Sequence, residues 1–185
     1  MTNGARVILD SLQLRLTIDR MCHELIENHA DFYDTALLGL QPRGIQFSER
    51  IAQRLRELTG NHEIRLGKLD VTFNRDDIRH HDGPLLPNAM QVDFLIEGLQ
   101  VVLIDDVLYT GRTIRAGMDA MLAFGRPKRV ELAVLIDRRF SRELPIEPNY
   151  VGRRIDTITS ERVKVDLGGN GMPDVVTLYS PEITA

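Results

Sequence analysis

Two adjacent carboxylates, Asp105 and Asp106, stand between an apolar run and a turn of small and hydroxyl side chains, in the stretch VVLIDDVLYTGRT from Val101 to Thr113. Val101–Ile104 reads as a fully buried strand with the two acids at its end. The turn Tyr109-Thr110-Gly111-Arg112-Thr113 then opens into a helix. In an open parallel sheet, ligands bind in the crevice beyond the carboxyl ends of the strands. Backbone N–H groups of such a turn, together with the positive end of the helix, form an anion site. Thr110 and Thr113 add hydroxyl donors, and Gly111 lets the backbone approach closely. A phosphate held there leaves Asp105 and Asp106 about one sugar away, and carboxylates accept hydrogen bonds from ribose hydroxyls. The local expectation is a site for a ribose 5-phosphate.

A second strand-to-helix turn offers a second anion site. The apolar segment Thr35–Leu40 ends in Gln41-Pro42-Arg43-Gly44, where Arg43 supplies charge and a fork geometry suited to phosphate.

The elements that must position these turns alternate along the chain. Ser11 to about Asn28 is an amphipathic helix with Ile18, Met21, Cys22 and Leu25 on one stripe. Gly44–Leu58 and Thr113–Phe124 are further helices. Strands are expected at Thr35–Leu40, within Glu63–Phe73, at Val101–Ile104 and at Val130–Ile136, with short ones near Val151, Val163–Val165 and Val175–Tyr179. Asn74–Gln91 is polar, carries Gly83, Pro84 and Pro87, and reads as a long loop of the kind that often carries function. Alternation of strands and helices implies an α/β fold with a parallel sheet flanked by helices.

Composition is that of a globular protein: 185 residues, 43% hydrophobic and 27% charged, with a net charge of −4 that argues against bulk nucleic-acid binding while leaving room for a local basic face. No apolar run approaches the ~18–20 residues of a membrane span, and no signal pattern opens the chain. The single cysteine, Cys22, is expected in the core. A cytoplasmic location follows as an expectation.

The stretch IDDVLYTGRTIRAGMDAML resembles the ribose-phosphate motif of type I phosphoribosyltransferases, and its wording is similar to that of the PyrR family of pyrimidine operon attenuators and uracil phosphoribosyltransferases. The likeness runs from Ile8–Asp10 to about Val165. It implies an open parallel sheet with a small hood, in one domain over 1–185. The hood is expected from about 137–160, the C-terminal strands and the N-terminal segment. In the implied site, Asp105 and Asp106 hold the ribose, and the segment Val107, Leu108, Tyr109, Thr110, Gly111, Arg112 and Thr113 holds the 5-phosphate. Gln41, Pro42, Arg43 and Gly44 form the pyrophosphate loop, whose Gln41–Pro42 bond is expected to be cis. Phe73-Asn74-Arg75-Asp76-Asp77 resembles the family's closing loop, with Arg75 as a charge clamp on leaving pyrophosphate; the adjacent His80 and His81 show no metal-ligand spacing.

After the Val130–Ile136 strand the family typically reads DRGHRELPI. This chain keeps Asp137, Arg138 and Arg142–Ile146 but carries Arg139-Phe140-Ser141 in place of Gly-His, one residue longer. Asp137, Arg138, Tyr150 and Val151 are the nucleobase candidates. On the first helix, Arg20 and His23 match positions associated with RNA, whereas Asp19 replaces a hydroxyl with a charge that would oppose phosphate. Arg6, Arg15, Arg153 and Arg154 could add phosphate contacts.

The resemblance implies transfer of the phosphoribosyl group of 5-phosphoribosyl 1-pyrophosphate (PRPP) to uracil with Mg²⁺. It also implies sensing of UMP or UTP, binding of pyrimidine-operon leader mRNA and a homodimer or homotetramer. A uracil transferase without RNA regulation, or a transferase for a purine base, are the alternatives.

Overall fold

A computed structural model describes residues 5–71, 91–168 and 172–180. Twelve segments build two sheets with helices between them. Strand β1 (Ala5–Leu9) leads into helix α1 (Ser11–His29), which starts at a reciprocal cap. The Asp10 carboxylate accepts from the Gln13 N–H at 2.8 Å, and the Gln13 side-chain oxygen accepts from the Asp10 N–H at 3.1 Å. Two otherwise orphaned donors are thereby satisfied. Leu14, Ile18, Met21, Cys22 and Leu25 form the buried face of α1.

Strand β2 (Thr35–Gln41) is buried along its whole length and runs into α2 (Gly44–Thr59), which buries Phe47, Ile51 and Leu55 at intervals of one turn. Strand β3 (Arg65–Asp70) follows, then β4 (Gln100–Leu108), α3 (Arg112–Met121) with a short 3₁₀ turn over Leu122–Phe124, and β5 (Arg129–Arg139). Strands β6 (Tyr150–Asp156), β7 (Arg162–Asp166) and β8 (Val175–Tyr179) complete the chain.

The main sheet is parallel throughout, in the order β3-β2-β4-β5-β6. Successive residues of its central strands go to opposite cores. Leu37, Val102, Ile104 and Leu135 pack with α1 and α2, whereas Leu38, Leu40, Val101, Leu103 and Val134 pack with residues of α3. Both faces are therefore covered, which is why these strands read as continuous apolar runs. The smaller sheet is antiparallel, in the order β1-β8-β7. Strand β6, expected within the hood segment, is the edge of the main sheet instead.

The order of the main sheet fixes where a ligand can bind. Strands β2 and β4 are neighbours, but α2, which follows β2, covers one face and α3, which follows β4, covers the other. The two chains therefore part at the carboxyl ends of β2 and β4 and leave a crevice there. The turn after β2 is residues 42–43 and the turn after β4 is residues 109–111, so the topology alone brings both expected anion sites together.

Candidate active site

Strand β4 is longer than its apolar core suggested. It was expected to stop at Ile104, but it runs through Asp105 and Asp106 to Leu108. The reason is its partner: Asp105, Val107 and Leu108 stay in register with Val134, Ile136 and Asp137 of β5. Backbone pairing continues where side-chain polarity signalled an end. The two acids are consequently buried, with 6% and 7% of their surface exposed. The Asp105 carboxylate accepts from the Asp106 N–H at 2.9 Å. Burial pushes the Asp106 carboxyl above its ordinary value, while a hydrogen bond with Asp105 and the positive charge of Arg43 pull against that shift.

The turn after β2 presses on these acids. Gly44 sits so close that a Cβ there would lie 2.8 Å from the Ile104 carbonyl oxygen and 3.0 Å from the Asp105 Cα and Oδ1. Only glycine permits that approach. The Gln41–Pro42 peptide is cis, as the sequence led us to expect. Arg43 is exposed at the start of α2. Gln41, Pro42, Arg43 and Asp106 line one cavity of about 720 Å³.

The turn after β4 is held from outside. Gly111 takes φ +94°, in the region that favours glycine, immediately before α3. The Thr110 carbonyl accepts from the N–H groups of Glu143 and Leu144 at 3.1 and 3.2 Å. Arg142 donates to the Tyr109 carbonyl and to Asp137, and Arg112 Nε donates to Glu143 at 2.7 Å. The buried Arg138 guanidinium stacks 4.0 Å from the centre of the Tyr109 ring and donates to Thr157 Oγ1 at 2.9 Å. The segment after β5 thus clamps the expected phosphate turn by its main chain, by Arg142 and by Glu143, with Arg138 of β5 stacked on Tyr109. Arg142 and Glu143 had no assigned part, because pairing between two separate turns leaves no periodic trace in a sequence.

Neither α2 nor α3 carries an acidic residue in its first turn, and neither start has a side-chain cap. Their positive ends can take another anion, with the Arg112 N–H at the start of α3 donating to Thr110 Oγ1 at 3.4 Å. Two such ends flanking a pair of buried carboxylates suit a ligand with phosphate at both extremities and hydroxyls between them.

The remaining candidates separate into groups. Asp137 and Arg138 lie beside the turn, with Asp137 also 3.6 Å from Arg154 Nε. Tyr150 does not join the crevice. Its ring is buried, and its hydroxyl donates to Glu131 at 2.8 Å and lies 3.1 Å from His29 Nε2. Tyr150 pairs with Ala133, well before the carboxyl end of β5, so its ring meets the core and no base. The Val151 carbonyl is likewise taken, accepting from Arg20 at 2.8 Å, and Gly152 accepts from the same guanidinium at 2.7 Å. Arg20, expected to face RNA, is therefore turned onto β6, while His23 is exposed. Asp19 is neutralised by Arg54 Nε at 2.6 Å, which answers the concern that its charge would repel phosphate. Cys22 is in the core, where burial raises its thiol to about 12. Arg75, His80 and His81 lie outside the described residues.

The sequence joins this geometry to known proteins. Residues 5–168 match the phosphoribosyl transferase domain family. The bifunctional protein PyrR of Bacillus subtilis (strain 168) is 42% identical over 184 residues, covering 97% of this chain and 99% of that protein. The bifunctional protein PyrR of Deinococcus radiodurans is also 42% identical, over 98% of both chains. Among solved structures, a hypoxanthine phosphoribosyl transferase of Trypanosoma cruzi superposes with a TM-score of 0.70 at 17% identity, covering 96% of this chain and 93% of that one. That likeness concerns the fold. The doubly covered parallel sheet, the crevice at its switch point and 42% identity over nearly the full length together show that the chain belongs to the PyrR family of phosphoribosyltransferases.

Proposed function

We propose that the protein transfers the 5-phosphoribosyl group of PRPP to uracil, giving UMP and pyrophosphate. The carrying observation is the convergence of two helix starts, neither with an acidic residue in its first turn, on the buried Asp105–Asp106 pair. The 5-phosphate would take the Tyr109–Thr113 turn, the ribose hydroxyls would donate to Asp105 and Asp106, and pyrophosphate would take the turn Gln41–Gly44. In the transfer, the C1–O bond to pyrophosphate breaks with both electrons leaving on oxygen. The C1–N1 bond to uracil forms, and the N1 proton passes to solvent. No side-chain nucleophile is needed; positioning and neutralisation of the leaving group carry the rate. Arg43 and Arg75 would supply that charge.

We infer that Mg²⁺ enters as a substrate-borne ion with few or no protein ligands. Among the described residues no group of three or more His, Cys, Asp or Glu could hold a metal. The ion would bind pyrophosphate and sugar oxygens, keep most of its waters and add charge neutralisation at the leaving group. The test is UMP formation from uracil, PRPP and Mg²⁺ by the wild type and by the Asp105→Asn/Asp106→Asn variant. Uracil-dependent turnover lost in the variant supports the site; no turnover by folded wild type refutes it.

The regulatory half belongs to the same proposal, since the curated relatives are named bifunctional. UMP or UTP in the crevice would favour binding of a pyrimidine-operon leader mRNA. The exposed residues Arg15 and His23 of α1 are the contacts still free to reach it, with Arg20 ordering the neighbouring strand β6. Leader binding that survives His23→Ala together with Arg15→Gln would move the RNA to another face. A homodimeric or homotetrameric cytoplasmic protein completes the reading. No helix among the described residues is long and apolar enough to cross a membrane.

A further inference from the structure

The cavity beside the pyrophosphate loop has a second wall that no sequence motif announced. Strand β7 of the small sheet contributes Lys164 and Asp166 to the same cavity of about 720 Å³ that Gln41–Arg43 and Asp106 line. The end of β7 forms this wall as a continuous segment, since Val165 and Leu167 line the cavity as well while packing on the core shared with α1 and α2, and the Lys164 and Asp166 side chains are exposed.

The position of this wall is fixed relative to the loop. Arg50, on the helix that begins at the loop, donates to both carboxylate oxygens of Asp174 and to the Gly168 carbonyl at 3.3 Å. Gly168 follows β7 and Asp174 precedes β8, so one guanidinium holds both ends of that connection to α2. The start of α2 carries Arg43. Loop and wall are therefore tied through a single helix.

Among the described residues three cations line the cavity: Arg43, Lys68 and Lys164. Lys68 is engaged by Glu49 at 2.6 Å, and its main chain pairs with Gln91 in both directions. Among the described residues Lys164 pairs with Asp166 alone, at 3.0 Å and two residues along the same strand, and both side chains are well exposed. An exposed pair of that kind contributes little and exchanges partners readily. A pyrophosphate group bears several negative charges, and Lys164 would add a further cation to Arg43 and to the Arg75 assigned above.

The geometry points to Lys164 as a pyrophosphate-binding residue, supplied by the small sheet across the cavity from Arg43. This rests on the phosphoribosyltransferase reading of the crevice and adds to it a ligand from outside the motif loops. The ammonium of Lys164 leaves Asp166 and meets the outer phosphate of PRPP or of released pyrophosphate, so the small sheet takes part in holding the leaving group.

Calorimetric titration tests this with two probes, inorganic pyrophosphate in the presence of Mg²⁺ and ribose 5-phosphate. The proteins are the wild type, Lys164→Gln, Lys164→Arg and the remote exposed control Lys128→Gln. Lys164→Gln is expected to weaken pyrophosphate about fivefold, as loss of one partly solvated charge-assisted contact does. Its affinity for ribose 5-phosphate stays at the wild-type value, Lys164→Arg stays within about twofold because the charge is kept, and Lys128→Gln matches the wild type for both probes. Unchanged pyrophosphate affinity in Lys164→Gln, or equal weakening of both probes, overturns the inference. Wild type that binds ribose 5-phosphate but not pyrophosphate also overturns it and leaves the 5-phosphate site standing. Wild type that binds neither overturns the reading of the crevice as well.

Discussion

Replacing Gly44 by alanine tests whether the close seating of the pyrophosphate loop on Asp105 is what assembles the crevice. The added methyl would lie 2.8 Å from the Ile104 carbonyl oxygen and 3.0 Å from Asp105 Cα. Both are main-chain atoms of the central strand, so no flexible side chain can yield. Relief to ordinary contact requires the start of α2 to retreat by about half an ångström, and overpacking of this size costs about 1–3 kcal/mol. Misplacement of reacting groups by about 1 Å costs on the order of a hundredfold in rate, so roughly ten- to a hundredfold is expected in kcat/KM for PRPP. Gly60→Ala is the matched control. It has open space within 4 Å but a φ of +70°, so its strain is in the backbone and remote from the crevice. That variant is expected to lose about 1 kcal/mol of stability from its left-handed backbone and to keep its activity. Urea unfolding and initial rates of UMP formation measure both. Wild-type kcat/KM in a folded Gly44→Ala protein would refute the reasoning, because the loop would then not depend on its contact with Asp105.

Asp106→Asn is expected to abolish most activity while raising stability at neutral pH. Burial lifts the Asp106 carboxyl in the folded state, so this group favours folding fully below the ordinary 3.8 and progressively disfavours it as pH rises through the lifted value. The stability gap between variant and wild type should therefore open with rising pH and close near pH 3.8; a gap independent of pH would contradict it. Tyr150→Phe should cost about 1 kcal/mol by breaking the buried bond to Glu131, with the KM for uracil unchanged; a shifted KM would return Tyr150 to the base site. Arg142→Ala frees the Tyr109 carbonyl and leaves Asp137 poorly paired, and about tenfold weaker binding of ribose 5-phosphate is expected from the loosened turn. Unaltered affinity there would show that the turn holds itself.

The crevice was readable in the sequence because its parts are local. A strand, two acids, a glycine turn and a helix start follow one another within Val101–Thr113, and Gln41–Gly44 repeats the logic after β2. Strand alternation with helices carried the parallel sheet as well, and the ends of α1 and β8 agreed to within a residue. What escaped was long-range. Lys164 reaches the cavity only because Arg50 docks the β7–β8 connection on α2. Arg142 reaches Tyr109 only because β5 lies beside β4. Tyr150 was misplaced for a related reason. A tyrosine before Val151-Gly152 looks available to a ligand, but its level on β6 depends on the register with Ala133, which no local pattern reveals. The extent of β4 was likewise underestimated, since backbone pairing with β5 is indifferent to the charge of the Asp105 and Asp106 side chains.

The crevice also couples its two charged partners to protons. Beside the Asp105 hydrogen bond, Arg43 is the cation that pulls the Asp106 carboxyl down against burial, and it is also the cation proposed above for pyrophosphate. When pyrophosphate binds, its charge offsets Arg43 and adds a like charge near Asp106, and both effects raise the carboxyl further. Binding should then be accompanied by proton uptake at Asp106 over the pH range in which that carboxyl titrates, opposed once ribose hydroxyls donate to the acids. Pyrophosphate without the sugar is thus expected to take up more protons than PRPP. Calorimetry in two buffers of different ionisation enthalpy measures the difference, and Asp106→Asn subtracts the protons that belong to the ligand itself. Equal uptake by wild type and Asp106→Asn would mean that Arg43 does not link the two sites. A difference between them would show that the acids proposed to hold ribose sense whether the leaving group is in place.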